Sequence, residues 1–399
     1  MSHWGMAVTL RSLQTVVPPT ILIQDQVRDV FAAQPDLGRL AQRLVTAAFN
    51  LSGIDTRHTV IEELTLDADA AEPKFFDSES QRLLVPSTRV RNELYITEAT
   101  KLFVEAGRRA LEACPGIEAA DVTHVVTVSC TGFYAPGPDY MLVRELGLSP
   151  ATQRYHLGFM GCYASMPALR TAKQFVEADP NAVVLVVSAE LCSLHLRTSN
   201  DPDTIVASSL FADGAAAGIV SGRAPEKGEL ALSLDLFETV ITPIGEGDMA
   251  WKIGDEGFEM VLSSYVPHII DQHIEGALAP LLARDPVLSA AQGLAGGQGG
   301  SLGTAVEHWA IHPGGRSILD KTEAKLGLSQ AQLAPARETL RRYGNMSSAT
   351  ILFVMKAILE GAAGTDALAP AASDGERVCA MAFGPGLTVE TGLMTVIAG

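Results

Sequence analysis

The sequence predicts an α/β fold made by duplicating one unit, and three observations lead there. Residues 124–220 and 308–398 run in the same order of strand, helix, strand, strand. A glycine-flanked polar residue precedes the helix of each run: Cys162 in Gly158-Phe-Met-Gly-Cys-Tyr-Ala, and Asn345 in Gly344-Asn-Met-Ser-Ser-Ala. The chain has 399 residues, enough for two domain-sized units or one fused duplication. Duplication carries Cys162 and Asn345 to related positions about a pseudo-two-fold axis. His312, on the loop after Trp309-Ala-Ile, falls between them. The expected halves are residues 1–230 and 231–399.

The elements follow in chain order. Residues 6–13 alternate loosely, as a first strand does. Residues 23–50 carry helical spacing at Val27, Val30, Phe31, Leu37, Leu40, Leu44 and Val45, and Pro35 divides the run into two helices. A helix is expected over 98–114. The β-branched run Val122–Val128 suits a central strand. Residues 163–178 read as a helix, with Pro167 tolerated only in its first turn. Strands are expected over 183–188 and 215–220. A long helix is expected within 257–284, and a glycine-rich loop over 293–303. A strand ends at Trp309–Ile311, a helix covers 347–360, and strands cover 378–383 and 392–398.

Composition narrows the function. The formal charge of −17 disfavours nucleic acid, whose binding needs positive surface. Hydrophobic residues make up 47% and charged residues 19%, which implies extensive burial in core or subunit interface. The five cysteines are odd in number and unpaired in spacing, an inventory expected of a reduced, cytoplasmic protein. The start lacks a basic segment followed by an apolar one, and no run of 18 apolar residues suggests a membrane span. No metal-ligand spacing occurs. Gly158/Gly161 is not a dinucleotide fingerprint, and Gly384-Pro385-Gly386 is not a phosphate loop.

Three residues then carry the chemistry. Cys162 at a helix entry is either a nucleophile, its thiolate favoured by the helix dipole, or a small buried core residue. His312 before Pro313-Gly-Gly is either a base and donor to a thioester carbonyl, or a hydrogen-bonded strand-end histidine. Asn345 is an N-cap, an oxyanion donor, or both. Cys130 follows a strand and can line a pocket, Cys192 lies near another strand end, and Cys114 and Cys379 read as core.

Five stretches bear a specific resemblance: Met160-Gly-Cys-Tyr-Ala, Leu210-Phe-Ala-Asp-Gly-Ala-Ala-Ala, Ile311-His-Pro-Gly-Gly-Arg-Ser-Ile-Leu-Asp, Tyr343-Gly-Asn-Met-Ser-Ser-Ala and Phe383-Gly-Pro-Gly-Leu-Thr-Val-Glu. Together they resemble the type III polyketide synthases, the chalcone synthase-like branch of the thiolase superfamily, over essentially the whole chain. The resemblance implies a thiolase-like, duplicated α-β-α-β-α layered fold with mixed sheets. It implies Cys162 as acyl carrier, His312 and Asn345 as its partners, and a homodimer. It implies acyl-CoA and malonyl-CoA as substrates, with no acyl carrier protein and no cofactor.

Phe211 takes the gatekeeping aromatic's place, and Met260 stands where plant members often carry a second aromatic, suggesting a wider or reshaped entrance. Cys130, Thr131, Ala135, Cys192 and His195 match cavity positions, beside the Gly384-Pro385-Gly386 turn. Ala135 removes bulk, whereas His195 shortens one branch. Coenzyme A contacts are expected from Arg57, Arg316 and Ser317. The Cys130 and Cys192 neighbourhoods resemble the bacterial branch that takes fatty acyl starters and makes alkylpyrones or alkylresorcinols. Malonyl priming of a small aromatic polyketide is the alternative. A single-condensation β-ketoacyl synthase III-like enzyme is the nearest rival, and an inactive structural subunit the most distant.

Overall fold

Strong β-branched runs and small-residue runs set the frame of the computed structural model. It describes residues 7–66, 70–286, 288–289, 303, 305–363 and 368–399. The chain begins with β1 (Thr9–Val16), α1 (Gln24–Ala32), α2 (Arg39–Leu51) and α3 (Thr88–Glu112). It continues through β2 (His124–Ser129), α4 (Pro138–Glu145), β3 (Gln153–Gly158), α5 (Ser165–Ala178) and β4 (Val183–Leu191). Next come α6 (Pro202–Leu210), β5 (Asp213–Ser221), β6 (Leu230–Ile241), a hairpin of β7 (Met249–Gly254) and β8 (Gly257–Leu262), and α7 (Val266–Arg284). The last elements are β9 (His308–Ile311), α8 (Arg316–Leu326), α9 (Gln330–Tyr343), α10 (Thr350–Glu360), β10 (Arg377–Gly384) and β11 (Thr388–Ala398).

Nine strands join in the order β9-β10-β11-β6-β1-β5-β4-β2-β3. One pairing scheme occurs twice. β2 and β4 are parallel and β5 returns antiparallel to β4; β9 and β10 are parallel and β11 returns antiparallel to β10. The seam between the two sets is short, with Thr9 opposite Ser233 and Leu10 opposite Leu232. The sheet is therefore mixed.

Two apolar helices fill the space between the sets. α5 packs on β2, β4 and β5 of one set and on β6 and β11 of the other, while α10 packs on β9, β1 and β5. The sequence of α10, TILFVMKAILE, is apolar on nearly every face, as a helix buried on both sides must be. α3 covers the outside of β1, β4 and β5, and α7 covers β6 and β11. This is the thiolase-like α-β-α-β-α layering with mixed sheets. Ala215, Ala216 and Ala217 of β5 are fully buried, so their small size lets helices approach the sheet on both faces.

Pro35 does separate two helices, and Pro167 lies in the first turn of α5, where its missing N–H costs nothing. One reading changes. The helix expected from residue 98 begins at Thr88, because Leu94 and Tyr95 extend its packing stripe past the charged residues between them. The long helix expected within 257–284 is α7, which begins at Val266; the stretch 257–262 before it is a strand that pairs antiparallel with β7 around Asp255-Glu256. Apart from Gly303, the glycine-rich stretch 293–303 lies outside the described residues. Among the described residues no helix is long and apolar enough to cross a membrane.

Candidate active site

Cys162 stands in the turn that leads into α5, three residues before the helix. Two backbone conformations set its place. Phe159 has φ +59° and Gly161 φ +83°, both left-handed. A β-carbon on Gly161 would lie 2.4 Å from Pro385 Cδ, and one on Gly384 would lie 2.3 Å from Tyr163 Cδ1. The two glycine turns thus close on each other, and only glycine fits the contact. Burial drives the Cys162 thiol up to about 11, although Ser347 and Asn345 favour the thiolate. Desolvation is the largest influence on the resting thiol.

His312 follows β9 and is 1% exposed. Its backbone N–H donates 2.8 Å to Met381 O, which fixes the loop to β10. Neither ring nitrogen has a hydrogen-bond partner among the described residues. Desolvation lowers its pKa to about 3, so the resting imidazole is neutral. Asn345 is 2% exposed and bridged to the Phe211 segment: its N–H donates to Leu210 O, and Ala212 N–H donates to Asn345 O, each at 2.9 Å. Its Oδ1 accepts from Ser347 N–H at 2.9 Å, capping the turn before α10, and its Nδ2 donates weakly to Gly314 O at 3.3 Å. Ser347 itself holds φ +47°.

Cys162, His312 and Asn345 line one cavity of about 40 Å³. Its other walls include Phe211, Met249, Trp251, Met260, Ile318 and Phe383, and no charged side chain lines it. A thiol, an imidazole and a carboxamide in such a dry space have the groups for acyl transfer with oxyanion stabilisation. Cys130 and Pro385 also line it, with Gly384 and Gly386 holding Pro385 on either side.

Met260 lines the cavity together with a second aromatic beside Phe211. Trp251 sits directly opposite Met260 across the hairpin, and its ring centroid lies 6.4 Å from that of Phe211. The aromatic missing from β8 is supplied by β7. Sequence reading missed Trp251 because it missed the hairpin. The signal was present in Gly254-Asp-Glu-Gly257, a two-residue turn between apolar runs.

Behind the cavity, the buried Glu190 carboxyl accepts from Cys130 N–H and Thr131 Oγ1 at 2.9 Å each, from Ser129 Oγ at 3.2 Å and from Ser348 Oγ. Thr131 is therefore a buried strut and not a cavity wall. Cys130 Sγ lies 3.4 Å from Ser347 Oγ. Cys192 and His195 line an adjoining space of about 30 Å³ that shares Phe211, Trp251 and Met260 with the first. His195 Nε2–H donates to Thr131 O at 2.8 Å, its Nδ1 accepts from Phe258 N–H at 3.0 Å, and its ring stacks on Phe258 at 4.2 Å.

One expectation is corrected. Arg57 has no exposed surface, so it does not meet a coenzyme phosphate. Its Nη1 donates to Ser208 O and Phe211 O, closing the end of α6, and burial lowers its pKa to about 10. Ala135 lies exposed beside Pro136, outside the cavity of its own chain, at the position where plant members carry a methionine that reaches across the dimer. Arg316 and Ser317 are exposed at the start of α8. Arg316 borders a groove of about 490 Å³ shared with Arg337 and Arg341, both ion-paired to neighbouring carboxylates. Among the described residues no group of His, Cys, Asp or Glu is arranged to hold a metal ion.

The layered fold and the cavity at the meeting point of its repeated motifs define a condensing enzyme of the thiolase superfamily, of the type III polyketide synthase kind. The chain belongs to the chalcone and stilbene synthase family: residues 2–225 match the N-terminal domain of chalcone and stilbene synthases and residues 234–398 the C-terminal domain. It is 32% identical to bisdemethoxycurcumin synthase of Oryza sativa subsp. japonica, over 98% of this chain and 92% of that one. Among solved structures it resembles PKS-I from the brown alga Ectocarpus siliculosus, with 26% identity, TM-score 0.82 and 98% of each chain covered. It also resembles the C-terminal type III polyketide synthase domain of Steely1 from Dictyostelium, with 27% identity, TM-score 0.82, and 98% and 100% covered. The fungal type III polyketide synthase ORAS gives 26% identity, TM-score 0.78, and 98% and 99% covered.

Proposed function

We propose that Cys162 accepts an acyl group from a medium- or long-chain acyl-CoA and that malonyl-CoA extends it more than once. The carrying observation is the unpartnered His312 imidazole. A buried polar group without a partner costs about 1–3 kcal/mol, so its retention facing the thiol and the Asn345 amide argues for a partner that arrives with substrate. His312 takes the thiol proton as the acyl group transfers to sulfur. The CoA thiolate leaves and takes that proton from His312. Malonyl-CoA then loses CO2, and its thioester oxygen gains negative charge facing the donors His312 and Asn345. The resulting carbon nucleophile attacks the Cys162 thioester and expels the Cys162 thiolate, which takes back the lengthened chain from its CoA thioester, releasing CoA, for another round. The apolar walls disfavour premature protonation and hydrolysis.

The starter class rests on the same walls. An uncharged, apolar space suits an alkyl chain, and cyclisation of the extended chain gives an alkylpyrone or a resorcinol, as in the bacterial branch that the sequence resembles. The Oryza relative's name points instead to a curcuminoid product. A malonyl-primed small aromatic polyketide is the further alternative. The enzyme acts in the cytoplasm as a homodimer of chains divided near residues 230 and 231. Arg316 and Ser317 meet the coenzyme, without an acyl carrier protein. Acetyl-, benzoyl-, octanoyl- and palmitoyl-CoA competing for limiting enzyme and malonyl-CoA test this reading. Octanoyl- or palmitoyl-derived products, identified by mass, are expected. Dominance of acetyl- or malonyl-primed products overturns the alkyl starter, and sedimentation at about 42 kDa overturns the dimer.

A further inference from the structure

The cavity at Cys162 measures about 40 Å³. Substrate sites span roughly 300–1,000 Å³, so part of this wall moves when substrate enters. Met249, Ala250, Trp251, Met260 and Leu262 of that wall all belong to the β7–β8 hairpin. The hairpin forms a two-stranded sheet of its own, apart from the nine-stranded one. Such a hairpin is marginally stable alone and takes its position from whatever holds it. It is the wall that moves at least cost.

Polar contacts hold the hairpin at two levels. Along the strands, Trp251 Nε1–H donates to Cys130 O at 2.9 Å and Phe258 N–H donates to His195 Nδ1 at 3.0 Å. At the tip, the first residue of α3 takes over. Thr88 N–H, a donor that a helix N-terminus leaves free, donates to Asp255 O at 2.8 Å. Gly254 and Gly257 face each other across the turn, and the Thr88 hydroxyl bridges them. Its Oγ1 accepts from Gly257 N–H at 2.8 Å and donates to Gly254 O. The support beneath is firm. Arg91, one turn along α3, has no exposed surface; its Nε donates to Pro86 O at 2.9 Å and its Nη1 to Leu194 O. A β-carbon on Gly257 would come within 3.0 Å of Arg91 Cδ, so the tip lies directly on this support. α3 itself packs on β1, β4 and β5 of the main sheet. Thr88 is not among the walls of the cavity at Cys162 or of the space at His195, so it acts on them only through the hairpin.

We propose that Thr88 is a positioning residue whose hydroxyl latches the tip of the β7–β8 hairpin and so limits how far the cavity at Cys162 opens. When Gly254 and Gly257 leave the hydroxyl, the hairpin tilts about its base, where Ser263 N–H donates to Asp248 O at 2.9 Å. The closed latch keeps bulky reagents from the thiol and water from an acyl group carried there. The second effect rests on the acyl-starter reading, and the first does not. Loss of one net hydrogen bond raises the open fraction about tenfold.

The test uses the full-length enzyme. Thr88→Val keeps the shape of the side chain without its hydroxyl, Thr88→Ser keeps the hydroxyl, and Thr88→Ala replaces the valine variant if thermal melts show that it is unfolded. Each is treated with pyrenyl maleimide, and alkylation of the Cys162 peptide is timed by mass spectrometry. Alkylation about tenfold faster than wild type is expected in Thr88→Val, with the wild-type rate restored in Thr88→Ser. Octanoyl-CoA is then loaded without malonyl-CoA. Water attack on the thioester carbonyl, read as free octanoic acid and regenerated Cys162 thiol, should quicken in Thr88→Val and not in Thr88→Ser. Equal alkylation rates in all folded variants overturn the latch. Equal acceleration in Thr88→Val and Thr88→Ser assigns the effect to shape and also overturns it. Faster alkylation with unchanged hydrolysis overturns its role in the reaction. Failure of wild type to load octanoyl-CoA removes the acyl-starter reading, while alkylation still decides the latch.

Discussion

The Trp251 indole donates a 2.9 Å hydrogen bond to the backbone carbonyl of Cys130, across 121 residues of sequence. That bond pins the β7–β8 hairpin to the end of β2. It also holds the indole edge-on to His195 and Phe258, at 5.6 and 6.0 Å between ring centroids. Cavity size at Cys162 is thus set by a residue held from outside the duplicated motifs.

Trp251→Phe should cost about 1 kcal/mol of stability through the lost hydrogen bond. Trp251→Ala should cost more and enlarge the space before Phe211, shifting products to higher mass. Urea denaturation gives the first quantity and product mass spectrometry the second. An unchanged product range in Trp251→Ala would show that the indole does not limit the chain.

Cys162→Ala should abolish acyl loading, read as one added acyl mass on the Cys162 peptide. Loading on Cys130 instead would reverse the assignment. Asn345→Ala should impair malonyl-CoA decarboxylation more than loading, because an amide can hold an enolate oxygen but cannot take a thiol proton. The expected cost is about 3 kcal/mol in the transition state. Equal losses in the two half-reactions would contradict this division of labour.

Gly161→Ala should disturb the Cys162 turn. The new methyl meets Pro385 at 2.4 Å, and φ +83° disfavours any side chain. Loss of acyl loading greater than loss of folded protein is expected. Thermal melting measured beside loading separates the two.

Glu190→Gln should destabilise the protein by about 1–3 kcal/mol. Ser129, Cys130, Thr131 and Ser348 all point donors at this carboxyl, and an amide turns one acceptor into a donor. Chemical denaturation checks the value, and an unchanged midpoint would mean that the network rearranges freely.

Buried histidines make stability fall on the acid side. His195 and His312 are both depressed to about 3, so the native state refuses protons that the unfolded chain accepts. Their contribution is present above the ordinary histidine value near 6.5 and is lost as pH falls toward 3. Asp213 works the other way: burial raises it to about 6, so its contribution is present in acid and is lost as pH rises through 6. A variant isolates one group. The stability of His195→Gln relative to wild type should rise as pH falls below about 6.5, by at most ~1.4 kcal/mol per pH unit. A flat difference from pH 7 to 4 would refute the depressed value.

The duplicated strand–helix–strand–strand order and the three polar residues that meet at the cavity were legible in the residues alone, and the layered class in the family resemblance they carry. Those features are local: glycines at forced turns, β-branched runs and a largely apolar helix leave their mark within a few neighbouring residues. Pro35 and Pro167 were legible for the same reason. Tertiary structure decided what depends on distant partners. Arg57 reads as a surface cation until the Ser208 and Phe211 carbonyls close over it. Cys162 reads as an acidified thiol from its neighbours in sequence, whereas the side chains that folding packs around it raise its pKa. Trp251 became a cavity wall only when the hairpin placed it opposite Met260 and against Cys130. Desolvation and cavity volume are sums over every side chain that folding brings near, and sequence neighbours supply only a small part of that sum.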